Sequence, residues 1–152
     1  MTMSADSPFD GEYVPSTAQW VADQVEEYER SGGTEGTQMH GYPTVVLTTL
    51  GAKSGVVRKS PVMRVSDGER YAVVASLGGA PDNPSWYGNL RAHPRVRLQD
   101  GPAVREYTAR VAEGAERSEW WQRAVDAFPP YAEYQEKTDR VIPVVVLEPV
   151  GG

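Results

Sequence analysis

Thr48–Pro61, T-T-L-G-A-K-S-G-V-V-R-K-S-P, is the stretch on which the fold turns. A β-branched run, T-V-V-L-T-T-L from 44 to 50, leads into it, and V-R-K-S-P-V-M-R-V, 57 to 65, leads out. Such runs read as strands, and Gly51 and Gly55 between them read as a turn. Successive backbone N–H groups and a Lys in this setting can cradle phosphate oxygens. A P-loop is excluded, because that motif needs G-x-x-x-x-G-K-[ST] opening a helix. Here Gly51 lies two residues before Lys53, and a strand follows.

Working outward, R-Y-A-V-V-A-S (70–76) is a third strand, and the D-G at 67–68 predicts a hairpin closing the second strand onto it. A second D-G, at 100–101, joins R-V-R-L-Q to A-V-R-E-Y-T-A-R-V as another hairpin, and P-V-V-V-L-E-P is a last strand. Upstream, Ser16 with Gln19 reads as a capping box for a helix whose Ala18, Val21, Val25 and Tyr28 recur at helical spacing and which Gly32 and Gly33 stop. Pro84 behind Asn83 as N-cap opens a short helix that ends before Pro94. After Gly114 a helix carries Trp120, Trp121, Ala124 and Phe128 near one side until Pro129 and Pro130 break it, and Y-A-E-Y-Q-E-K follows. Six strands with inserted helices predict an α+β domain on a small closed barrel. Residues 1–15 read as a flexible, acidic N-terminal tail and 16–152 as a single domain.

Charge is unevenly placed. The chain of 152 residues has a formal net charge of -6, yet between Glu35 and Asp67 there is no carboxylate, while Lys53, Arg58, Lys59 and Arg64 all fall there. Surfaces usually intersperse both signs, so this window reads either as a solvated basic face or as a site for a small anion. A pI near 4.9 argues against wholesale nucleic-acid binding. Zero cysteines exclude thiolate metal sites, disulfides and a Cys nucleophile. No apolar run approaches the roughly 18 residues of a membrane span, and the first residues lack the pattern of a signal peptide. Cytoplasmic location is the default.

The remaining motifs narrow the chemistry by elimination. The second glycine turn, A-S-L-G-G-A-P (75–81), also leaves a strand, and Gly78 and Gly79 would let backbone approach a ligand closely. Neither turn is G-x-G-x-x-G, and Ser76 is not in a G-x-S-x-G elbow. His40 and His93 are the only histidines, each without a metal-ligand partner at useful spacing, and His93 reads as a helix C-terminal cap. No metal site is expected. What is left is backbone, cations and aromatics, which suits a cofactor that carries the hard chemistry itself.

Three segments carry a resemblance: T-T-L-G-A-K-S-G-V-V-R-K-S-P-V-M, then V-A-S-L-G-G-A-P-D-N-P-S-W-Y-G-N-L-R-A-H-P-R-V, then F-P-P-Y-A-E-Y-Q-E-K-T-D-R-V-I-P-V-V-V-L-E-P. Over residues 43–149, in order and at family-like spacing, the chain resembles the deazaflavin (coenzyme F420)-dependent nitroreductases. The resemblance implies a split β-barrel that binds reduced 8-hydroxy-5-deazaflavin and passes its hydride to a quinone, nitroaromatic or activated enone. The coenzyme's phosphodiester and oligoglutamate tail are anionic, which gives the cation window something to face.

Carried over by position, it implies Ala52, Lys53, Ser54 and Arg58 at the phosphate and tail, and Lys59, Ser60, Pro61, Val62 and Met63 along the coenzyme. Val74, Ala75, Ser76 and Leu77, with Ser85, Trp86, Tyr87, Gly88 and Asn89, would border the ring, and Tyr131 would close over it. Substrate would meet Met63, Ser76, Phe128, Tyr131 and Tyr134, with Tyr131, Ser76 and Tyr134 as the catalytic candidates. Trp86 also fits a core anchor, and Tyr131 and Tyr134 a staple for the C-terminal segment. Ala52 and Leu77 stand where relatives often carry another cation, and Met63 and Phe128 where some members place tyrosines. Alternatives are an FMN-dependent oxidoreductase of the same barrel and a non-enzymatic deazaflavin carrier. The partner is a small-molecule acceptor, and the chain a monomer or homodimer.

Overall fold

The computed structural model describes residues 7–150. The chain runs α1 (Gln19–Arg30), β1 (Gln38–Met39), β2 (Tyr42–Leu50), β3 (Val57–Met63), β4 (Tyr71–Val74), α2 (Ser85–Ala92), β5 (Arg95–Asp100), β6 (Ala103–Val111), α3 (Gly114–Ala127), α4 (Pro130–Glu136) and β7 (Val144–Pro149). Every pairing is antiparallel, in the order β1-β2-β5-β6-β7-β4, with β3 on the other side of β2. The sheet curls until β3 and β4 nearly meet, held by the Ser66↔Tyr71 bridge and by Ala72 N–H donating to Val65 O at 2.9 Å. This is a split β-barrel in an α+β domain, as the sequence predicts.

Strand alternation divides the apolar residues between two clusters. Inside the barrel, Val45, Leu47, Val73, Val145 and Leu147 pack with Trp86 and Leu90 of α2. The residues between them in sequence, Ala72, Val74, Val144 and Val146, face Trp120, Phe128 and Tyr131 of α3 and α4. A period of two that is apolar on both faces explains why β4 and β7 are almost wholly apolar. On the flank, α1 buries Val25 and Tyr28 against Val46. Tyr28 anchors that docking, since its hydroxyl accepts from Gly101 N–H at 2.8 Å. Gly33 has φ +81, and a Cβ there would meet Gly101 O at 2.1 Å, so the end of α1 approaches the β5–β6 turn backbone to backbone.

Four local expectations are corrected. The 67–68 hairpin forms but is short: Asp67 Oδ1 accepts from Glu69 N–H and Arg70 N–H, Ser66 bridges Tyr71, and β4 then runs along β7 rather than along β3. The capping box does not form: α1 begins at Gln19 behind Ala18, and Ser16 Oγ accepts from Ala18 N–H instead. Pro84, not Asn83, precedes α2 as its N-cap, while Asn83 Oδ1 takes a hydrogen bond from Arg140. From Ser7 to Pro15 the tail lies against the sheet: Phe9 is buried with Arg97 over its ring, and Tyr13 bridges to Val57. Residues 1–6 lie outside the described residues. The 100–101 hairpin, with Asp100 opposite Ala103, and the two-glycine stop of α1 match expectation. Among the described residues no helix is long and apolar enough to cross a membrane.

Candidate functional site

The β2–β3 turn is built to leave donors free. Gly51 N–H donates to Val56 O at 2.8 Å, and Gly55, at φ +72, returns its N–H to Gly51 O at 2.9 Å. Asn89 of α2 braces the outside of the turn, accepting from Ala52 N–H at 3.0 Å and donating to Thr49 Oγ1 at 3.2 Å. The backbone N–H groups of Lys53 and Ser54 find no acceptor among the described residues, and Ala52, Lys53 and Ser54 are exposed. Converging N–H groups beside an ammonium form an anion-binding concavity.

The four cations of the window part company. Lys59 lies 2.7 Å from Glu29 of α1 and over the ring of Tyr13, and Arg64 lies 2.8 Å from Asp100. Both are taken by protein carboxylates. Lys53 and Arg58 make no ion pair or hydrogen bond among the described residues. Register explains the split: Arg58, Ser60 and Val62 stand opposite Thr49, Leu47 and Val45, on the barrel face, whereas Lys59 stands opposite Thr48 on the α1 face. The Lys59 side chain therefore stands on the α1 side of β3, away from Arg58.

From Arg58 the barrel face of β3 runs toward a cavity of about 230 Å³. It is lined by Pro61, Val62, Met63, Val74, Ser76, Leu77, Trp86, Phe128, Tyr131 and Tyr134, all named as site residues from the sequence, by Gly78 of the second glycine turn, and by Trp20, Met39, His40 and Pro84, which were not named for the site. Trp86 serves both roles open to it, packing in the barrel core and closing one wall of the cavity. Ser85, Gly88 and Asn89, at i, i+3 and i+4, share one face of α2, and Gly88 has open space where a Cβ would stand. Two residues implied at the coenzyme, Ala75 and Tyr87, are also tied into the protein. Ala75 is fully buried, with its N–H on Pro143 O and its carbonyl on Arg140, and Tyr87 packs on the barrel core and accepts from Arg91.

Tyr131 and Tyr134 do share a face of α4, their rings in an edge-to-face pair at 6.2 Å, with Phe128 5.0 Å from Tyr131. The hydroxyls of Ser76, Tyr131 and Tyr134 have no hydrogen-bond partner among the described residues, although Tyr131 is 4% exposed and Ser76 7%. All three residues line the cavity, and their hydroxyl oxygens are not among the buried atoms left without a partner, so water or a ligand can reach them there. Burial, with the nearby Tyr134, pushes the Tyr131 phenol above its ordinary range.

Behind Ser76 stands a brace that sequence reasoning missed. Arg140 donates to the carbonyls of Ala75 (3.1 Å), Ser76 (2.8 Å), Ala80 (2.9 Å) and Asp82 (3.1 Å) and to Asn83 Oδ1 (2.6 Å). Gln135 of α4 holds the segment that carries it, donating to Arg140 O at 2.8 Å and accepting from Ile142 N–H at 3.0 Å. Gly79 completes the join: at φ +84, a Cβ there would meet Tyr134 O at 2.7 Å. The planar guanidinium is suited to satisfying several carbonyls at once, but nothing local in T-D-R-V-I-P shows where it reaches.

A half-open barrel with free cations at one end of a strand and unpartnered hydroxyls at the other defines a class: split-barrel proteins that hold a flavin-like coenzyme along the strand. Similarity gives the member. The chain belongs to the F420H(2)-dependent quinone reductase family, whose model matches residues 20–149. It is an oxidoreductase whose hydride source is reduced coenzyme F420. An F420H(2)-dependent quinone reductase of Mycobacterium tuberculosis is 36% identical over 124 residues, 79% of this chain and 83% of that protein. A solved F420-H2 dependent reductase, FDR-A, is 57% identical with a TM-score of 0.67, covering 70% of this chain and 94% of that one. A chain solved as a domain-swapped dimer is 51% identical with a TM-score of 0.70, covering 88% of this chain and all of that one.

Proposed function

We propose that the protein holds reduced F420 from the β2–β3 turn to the α2 face and reduces a quinone-type acceptor placed against Ser76, Tyr131 and Tyr134. Nitroaromatics and activated enones are further members of the same electron-poor class. The observation that carries this reading is the set of three unpartnered hydroxyls around an apolar cavity. The residues present fit the coenzyme: Lys53, with the free N–H groups of Lys53 and Ser54, suits a phosphate, Arg58 suits an anionic tail, and Val62 and Trp86 suit an apolar ring.

When bound, the coenzyme supplies a hydride. The chain supplies everything around that event. Tyr131 donates a hydrogen bond to the acceptor oxygen as negative charge develops there, an interaction made in the transition state more than before it. Its raised phenol keeps its proton, so it acts as a hydrogen-bond donor rather than as an acid. Ser76 and Tyr134 provide further donors from the lining, and the rings of Phe128, Tyr131 and Tyr134 keep water out. A homodimer remains a candidate assembly, supported by the relative solved as a dimer.

Two measurements test the reading. Binding of F420 and of flavin mononucleotide, followed by fluorescence, should give a micromolar or tighter complex for F420 and a much weaker one for the flavin; equal affinities overturn the coenzyme assignment. Rapid mixing of protein-bound reduced F420 with menadione should oxidise the coenzyme in a single turnover. Tight binding without oxidation by any quinone makes the protein a carrier.

A further inference from the structure

His40 occupies a costly position. With Gly41 it forms the two-residue loop between β1 and β2, Met39 opposite Tyr42, and both loop residues have positive φ, 53° and 81°. That is the geometry of a type I′ turn, for which Asn-Gly is the favoured pair. A histidine there gives up backbone comfort, and strained residues of this kind cluster at functional sites. Among the described residues only His40 and Leu77 are non-glycine residues with positive φ, and both border the same cavity.

The imidazole stacks on Phe128, with centroids 6.2 Å apart and planes 30° from parallel, so it stands beside the ring that touches both Tyr131 and Tyr134. The cavity lining holds no carboxylate, Lys or Arg. The titratable groups facing His40 are Tyr131 and Tyr134 on α4, with Tyr42 beside it on the hairpin, edge-on to the same Phe128. On α1 Trp20 faces the cavity, while Asp23, Glu26 and Glu29 line a separate hollow beside Tyr13. On α3 Asp126 is exposed and accepts from Gln122.

Reduction of a quinone needs more than a hydride. The hydride brings two electrons and one hydrogen, and a proton must reach the acceptor to complete the hydroquinone. Tyr and Ser hydroxyls hold their protons too tightly to give them up near neutral pH, whereas imidazole is the side chain that exchanges one there. We propose that His40 is the proton donor to the acceptor oxygen, delivering its proton from the hairpin tip, and this inference rests on the reading of the cavity as the acceptor site. The imidazolium N–H bond breaks as the acceptor O–H bond forms, the coenzyme is oxidised and the quinone reduced by two electrons. The neutral imidazole then takes a proton from solvent at the cavity mouth.

His40→Asn is the variant of choice, because Asn tolerates the left-handed conformation that the turn requires. The readout is single-turnover oxidation of bound reduced F420 by menadione, measured across pH. His40→Asn should be slower at pH 6 by about tenfold to a hundredfold, below the upper range for general acids, with a flattened pH profile, F420 affinity unchanged, and partial rescue by free imidazole. A second readout needs no turnover: the His40 ring resonance, assigned by its loss in His40→Asn, should shift when menadione is added without coenzyme. His93, at the end of α2 and outside the cavity, should not respond. A His40→Asn variant with the parent's rate and pH profile overturns the proposal while leaving the hydride reading intact. A parent that never oxidises reduced F420 with any quinone overturns both.

Discussion

The two ends of the site are made in different ways. The cationic end comes from one short stretch, Gly51 to Arg58, and its side chains reach outward with little contact to the rest of the chain. The hydroxyl end is assembled from segments far apart in sequence, with Ser76 from the end of β4, Tyr131 and Tyr134 from α4, and His40 from the β1–β2 hairpin, and it is packed. The first end can be changed without touching stability. The second can be changed without loss of stability only where the ring or turn is kept, because Phe128, Tyr131 and Tyr134 pack as well as line the cavity.

Arg140→Ala tests that contrast most severely. Five hydrogen bonds to the 75–83 segment disappear together, and buried carbonyls lose their donors. Hydrogen bonds to charged groups are each worth about 1.5–3 kcal/mol but do not add fully, so urea unfolding should show a loss of roughly 2–4 kcal/mol. Arg140→Lys should recover little of it, since an ammonium cannot span those carbonyls. A loss below about 0.5 kcal/mol would show the brace to be ornamental.

Tyr131→Phe separates function from packing at one residue. Turnover with menadione should fall by about tenfold to a thousandfold, the range for deleting an oxyanion donor. Stability should stay within about 1 kcal/mol, because the ring keeps its packing and the hydroxyl makes no hydrogen bond to the described residues. Coenzyme affinity should move less than turnover. Unchanged hydride-transfer rates in both Tyr131→Phe and Tyr131→Ala would reduce the tyrosines to a staple.

At the other end, Lys53→Ala and Arg58→Ala should each weaken F420 binding by about one to two orders of magnitude, as expected for a lost charge-assisted hydrogen bond. The effect should shrink in high salt, and thermal unfolding should not move. The smallest effect belongs to Lys59→Ala, whose ammonium is already engaged by Glu29 and Tyr13. It should leave F420 affinity within about twofold and cost under about 1 kcal/mol of stability, as exposed pairs do. If Lys59→Ala weakens binding as much as Arg58→Ala, the division of cations by strand face is wrong.

Local chemistry told where the chain turns, but not always what it pairs with afterwards. Asp100-Gly101 closes neighbouring strands and was legible in full. Asp67-Gly68 makes a sound turn too, yet β4 finds its partner in β7, at Val144–Leu147, a choice set by which apolar faces complete the barrel. Ser16 and Asn83 carry good capping side chains that bind elsewhere, Asn83 with Arg140, a residue distant in sequence. Phe9 and Tyr13 looked like isolated apolar residues in an acidic tail because their seats, Arg97 and Val57, come from other strands. The resemblance named residues on β3, the 74–77 segment and α4 that line the cavity. His40 was not among them, since a histidine before a glycine is a weak turn signal and stacking on Phe128 is invisible from either neighbourhood.

The Gln135–Arg140 brace also fixes a direction. α4 has seven residues, too few to persist by itself, and it is tied to the 75–83 segment both through the brace and through the close approach of Gly79 to Tyr134. The wall bearing Tyr134 and the wall bearing Ser76 thus share one mount and can move only as a rigid jaw. The opposing side, Trp20 and the His40 hairpin tip, is held more lightly, with Gln24 of α1 donating to Gly36 O and Gln38 O: Trp20 is 61% exposed and β1 is two residues long. If the acceptor sits in this cavity as proposed, a change of substrate range by mutation should begin at Trp20 and Met39 while the tyrosines stay where they are.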